Sequence, residues 1–73
     1  MSTEIVLYTV YGPSREFPRH YVVRRWRLDK LIDDKYPFII APTLEEARAG
    51  IPPGLARIPR EELDDPAVLE SWI

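Results

Sequence analysis

The 73-residue chain has no cysteine, which excludes disulfides, thiolate zinc sites and thiol nucleophiles. Its single histidine, His20, excludes a histidine-rich metal centre and a two-histidine mechanism. Glycine occurs three times. Neither Gly12-Pro13-Ser14 nor Gly50-Ile51-Pro52-Pro53-Gly54 has the spacing of a Walker or dinucleotide phosphate loop, so both read as turns. Long hydrophobic runs are missing too. The longest near the N-terminus is Ile5 to Tyr8, far below a membrane span. Met1 to Val10 contains Glu4 and no basic residue, and does not read as an export signal. The expectation is a cytoplasmic protein with no membrane partner. Lysine is scarce beside arginine, two against eight, a bias that a GC-rich coding sequence explains as well as any functional demand.

What remains is 45% apolar and 30% charged, too apolar for a disordered chain. The length allows one domain, residues 1–73. A chain this short buries only about 60% of the surface exposed when unfolded, and small domains of this kind usually need a disulfide, a metal or a partner subunit. With cysteine absent and metal ligands sparse, the expectation is a homodimer, the commonest closed oligomer. Eight prolines help by restricting the unfolded chain. The net charge of −2 conceals a split: residues 1–30 carry six basic and three acidic side chains, residues 31–73 four basic and nine acidic. A basic binding face is one reading. Pairing of the two halves within one domain is the favoured one, since opposed charges on neighbouring strands are an ordinary device.

Ile5 to Tyr11 (IVLYTVY) is β-branched and aromatic and stops at Gly12-Pro13, the pattern of a strand. Ile5, Leu7, Thr9 and Tyr11 share one face, Val6, Tyr8 and Val10 the other. Both faces are apolar, which predicts a central strand or one that meets another subunit. Gly12 to Arg19 is a loop in which Phe17 plugs a core edge. His20 to Leu28 predicts a second strand. Its more apolar set, His20, Val22, Arg24, Trp26 and Leu28, is expected to face the core, with Arg24 paired to an acid such as Glu70, and Tyr21, Val23, Arg25 and Arg27 outward. Asp29 to Lys35 reads as a polar connection with one helical turn. Tyr36 to Ala41 is an extended run at a sheet edge, because Pro37 lacks a donor.

Thr43-Leu44-Glu45-Glu46 is a capping box and opens the one clear helix. Its two acids suit the helix dipole, and Leu44, Ala47 and Ile51 form a narrow apolar stripe. Gly50 and Pro52-Pro53 end it. Leu55 to Ile58 predicts a short strand, Arg60 to Pro66 an acidic turn, and Val68 to Ile73 a terminal strand with Val68, Glu70 and Trp72 on one face.

No residues spell a catalytic, cofactor-binding or metal set. Tyr21 and Arg24-Arg25-Trp26-Arg27 interleave arginine with aromatics, a pattern that can hold phosphates and bases. Against this, Trp26 points opposite to Arg25 and Arg27, and the acidic net charge opposes a polyanion. His20 with Arg24 could mark a small enzyme or ligand-carrier site, yet no spacing selects a nucleophile or orienting acid. Glu61, Glu62, Asp64 and Asp65 lack the glycine turn and ligand register of a calcium loop. More informative is the aromatic excess. Tyr8, Tyr11, Tyr21, Trp26, Tyr36, Phe38 and Trp72 exceed what one small core can hide, so some are expected to form an exposed patch of the kind used in protein–protein contact.

The constellation His20-Tyr21-Val22-Val23-Arg24-Arg25-Trp26, Thr43-Leu44-Glu45-Glu46-Ala47-Arg48, Pro52-Pro53-Gly54-Leu55 and Asp64-Asp65-Pro66, with terminal Trp72, resembles a group of short uncharacterised bacterial proteins of unknown function. The resemblance spans nearly the whole chain. Its motifs are structural in type and imply no activity, substrate or catalytic residue.

The sequence therefore predicts an α+β domain: a small antiparallel sheet of four or five short strands with one short helix packed on one face. Ile5 to Tyr11, His20 to Leu28 and Val68 to Ile73 form its centre, the first two as a hairpin. The leading functional expectation is a non-enzymatic protein-interaction or accessory module, homodimeric, with no cofactor. Its candidate surface is Tyr8, Tyr11, Tyr21, Arg24, Arg25, Trp26, Arg27 and Trp72. The alternatives are nucleic-acid binding through Arg24, Arg25 and Arg27, and a small enzyme or ligand carrier near His20 and Arg24.

Overall fold

The computed structural model describes residues 5–27, 32–33 (backbone only), 37–61 and 66–73. Six short strands run along them: β1 (Val6–Tyr11), β2 (Tyr21–Arg27), β3 (Ile32–Asp33), β4 (Ile39–Ala41), β5 (Arg57–Pro59) and β6 (Val68–Trp72). One helix, α1 (Leu44–Ala49), lies between β4 and β5 in the chain. The strands form one antiparallel sheet in the order β3-β2-β1-β6-β5, with β4 also on β2. β3 pairs Trp26 and Arg27, and β4 pairs Tyr21 to Val23. The two short strands thus share the outer column beside β2, leaving β1 in the middle of five columns. The fold is α+β, a small antiparallel sheet with one short helix packed against it, as the sequence implies.

The register decides what each face holds. Val10 lies opposite Val23 on one side and Glu70 on the other, and Tyr8 opposite Arg25 and Trp72. These residues and Val6 point toward α1. Val10, Val23 and Ala47 are fully buried there, with Tyr8, Ala41 and Ile51 beside them and Leu44, Ile39 and Tyr21 packed around. Small side chains at the centre let the helix approach the sheet closely. A Cβ at Gly50 would overlap the Cδ1 of Ile39, so glycine at the helix end keeps that approach open. The Thr43 half of the expected capping box is in place, with the Glu46 amide donating to Thr43 Oγ1 at 3.2 Å.

Several sequence expectations change. On β2, Tyr21, Val23, Arg25 and Arg27 face the helix side, not Val22, Arg24 and Trp26. Val23 is the fully buried member. Val22 would supply a valine equally well; register decides, because Val23 lies between Val10 and Ile39 whereas Val22 lies between Tyr11 and Ile40. β5 begins at Arg57 rather than Leu55, because Gly54 turns the chain through φ 86° just before it and Pro59 is tolerated on an edge. β4 is limited to Ile39–Ala41; Pro37 precedes it, and Tyr36 lies outside the described residues. The connection expected as a helical turn contains β3, and its remaining residues, with Leu28, lie outside the description. So do residues 62–65 of the acidic turn. Leu69 is the extra residue of a β-bulge, since Val10 pairs Glu70 and Tyr11 pairs Val68.

Candidate interaction surface

An apolar strand face that carries an acid needs a cation for it. Glu70, on β6 among the helix-facing residues, is 1% exposed. Its carboxylate accepts from four donors. Arg48 of α1 grips it with two, Nε to Oε2 at 2.9 Å and Nη2 to Oε1. Arg57 Nε of β5 reaches Oε1 at 3.1 Å, and the Trp72 indole Nε1 reaches Oε2 at 2.6 Å. The Arg48 hydrogen bonds, aided by those of Trp72 and Arg57, outweigh the cost of burial and hold the Glu70 carboxyl at about 2. The Arg48 guanidinium is raised in turn, chiefly by its bond to Glu70. One carboxylate thereby ties α1, β5 and β6 together. This corrects the pairing of Glu70 with Arg24, which lies on the other face and has Glu16 at 4.0 Å. These two ion-pair groups each fall within one half of the chain, so neither joins the basic half to the acidic half.

The eight residues expected to share a surface divide between two faces. Tyr8 is buried, its ring centroid 5.2 Å from that of Phe38. Arg25 stands over the same Phe38 ring at 5.2 Å. Tyr21, Arg27 and Trp72 also lie on the helix side. Tyr11, Arg24 and Trp26 point the opposite way. Arg24 is thereby separated from Arg25 and Arg27, and β2 does not present its three guanidinia together. His20 is exposed just before β2. A hollow of about 230 Å³ near Arg24 includes Ser14, Glu16 and Phe17, but His20 does not line it. Among the described residues, no three His, Asp or Glu side chains cluster as a metal site, and no helix is long and apolar enough to cross a membrane.

The face away from α1 is the less expected feature. By alternation and register its described side chains are Leu7, Thr9 and Tyr11 on β1, Val22, Arg24 and Trp26 on β2, Ile40 on β4, Ile58 on β5, and Val68 and Ser71 on β6. One charge stands among these ten side chains. An antiparallel sheet with a solvated face ordinarily alternates apolar inward with polar outward; this one is apolar on both sides. The Gly12 to His20 loop lies over its Tyr11–Val22 end, where Phe17 packs. Thr9, Val22 and Val68 of this face are buried, and Ile40 and Ile58 remain 47% and 36% exposed at opposite margins. Sequence reasoning assigned this side of β2 to the core and so missed Leu7, Ile40 and Ile58. Leu7 was legible from the two apolar faces of β1. Ile40 and Ile58 needed the register of the edge strands.

On the helix side, the Pro52–Leu55 turn separates two open clefts. The larger, about 340 Å³, has an apolar lining that includes Val6, Tyr8 and Ile73. The smaller, about 210 Å³, runs from Arg48 to Trp72. Neither gathers convergent polar groups of the kind that orient a reacting substrate. No family model, curated protein or solved structure matches this chain.

Proposed function

We propose that the protein is a non-enzymatic interaction module that works by covering the sheet face opposite α1 with another polypeptide. The observation that carries this reading is the composition of that face, a single charge among its ten described side chains with two isoleucines exposed at its margins. Apolar faces of this kind, when contiguous, mark contact surfaces. The chemistry also points away from catalysis. The strongest electrostatic cluster, around Glu70, spends its carboxylate on internal bonds. Small size supports the same reading, because a domain of this length gains much of its margin from a partner.

A photo-reactive benzophenone amino acid placed at Ile58, with the same group at exposed Ala49 on the helix as control, tests this in the native host. The expected outcome is covalent adducts carrying a second polypeptide from position 58 and none from position 49. Recovery of only the uncrosslinked chain from position 58 overturns it.

A further inference from the structure

Resting on that reading, we infer that the polypeptide covering the open sheet face is a second copy of this chain, packed sheet against sheet about a two-fold axis running along β1. Three features of the face select this occupant. The first is charge. Among its described side chains Arg24 is the one charged residue, and Glu16 at 4.0 Å already stands by it. Described side chains whose one charge already has a counter-ion do not choose a strongly acidic or basic partner, and two such sets meet without like-charge repulsion.

The second is self-complementarity. β1 is the middle column, so a two-fold axis along it carries β2 over β6 and the β4 column over β5. Arg24 and Ser71 lie in the same row, both opposite Thr9. The operation therefore places Arg24 of each copy against the Ser71 hydroxyl of the other, giving the guanidinium an acceptor as it leaves water. Ile40 and Ile58 occupy the outer columns, two residues apart along the strand direction, and the operation brings the exposed margin of one copy over that of the other. Sheets stacked in this way lie about 10 Å apart, with inner side chains interdigitated.

The third is size. Five columns at about 4.8 Å and six residues of β1 at about 3.4 Å give a face of about 24 by about 20 Å. Corrugated by its side chains and partly occupied by the Gly12 to His20 loop, it falls at the small end of specific interfaces, which bury about 800 Å² per partner. An interface of this size suits a reversible dimer, which is read over micromolar to millimolar concentrations.

Light scattering on the full chain, from about 10 µM to about 1 mM, reads this directly. The expected mass rises with concentration toward twice the 8.5 kDa of one chain. Ile40→Lys and Ile58→Lys should each weaken association at least tenfold with an unchanged circular dichroism spectrum, and Ala49→Lys on the helix should leave it unaltered. A monomer mass throughout, or a dimer lost on Ala49→Lys and kept on both isoleucine changes, overturns the inference. The position-58 crosslink separates the two readings. Adducts with a different protein beside a monomer mass refute the second copy alone, whereas no adduct refutes the interaction reading as well.

Discussion

Glu70 concentrates the chemistry of this chain into one side chain. A carboxylate this buried is tolerable only because four donors surround it. Its folded value of about 2 lies below the ordinary glutamate value, so the ionised form is favoured by folding. The stabilisation is fully present above the ordinary value of about 4.3 and is lost as pH falls through about 2. Acid unfolding should accordingly steepen in that window, as followed by Trp fluorescence. Glu70→Gln should cost about 3 kcal/mol at pH 7 and flatten the dependence between about pH 4 and about pH 2. Chemical denaturation at several pH values checks both, and equal slopes for the two proteins would falsify the assignment. That Glu70 needed a cation was legible from its alternation with Trp72, although the bulge at Leu69 puts Val68 opposite Tyr11 on the other face. Which arginine answered was not, because Arg48 and Arg57 lie 22 and 13 residues away in the chain and only the packing of α1 and β5 brings them close.

At the scale of elements, α1 was the most legible part. Its cap, apolar stripe and glycine stop are all local signals, and all are in place. A six-residue helix has little intrinsic stability, so its cap counts. Thr43→Ala should lower stability by about 1 kcal/mol, measured as a shift of the urea midpoint with unchanged slope. The strands were harder. Alternation identifies two sets of residues on β2 and does not say which set looks inward when both are partly apolar. Trp26 drew the assignment by its bulk. Register decides it: Val23 lies beside Val10, and the two valines form the floor under Ala41 and Ala47. β3 and β5 are two and three residues long, too short for any periodic signal, and exist by pairing with β2 and β6.

For the whole molecule, the consequence of a sheet apolar on both faces is that folding and association are linked. If a second copy covers the open face, the melting temperature should rise with protein concentration. Calorimetry from about 10 µM to about 500 µM measures that rise, and Ile58→Lys should reduce it.

The sequence by itself determined the class of fold, the central hairpin, the capped helix and the absence of thiol or histidine-rich chemistry, because each follows from composition or from neighbours within one turn or one strand. Only the tertiary structure decided which face of β2 the helix covers, which cations hold Glu70 and where the exposed apolar margins of the sheet lie. Those depend on strand register and on contacts between residues far apart in the chain, which local preference does not encode. The scarcities that begin the sequence thus acquire a place in the fold: with no disulfide to staple it, the domain uses one four-fold hydrogen-bonded carboxylate on one side of the sheet and leaves an apolar face on the other.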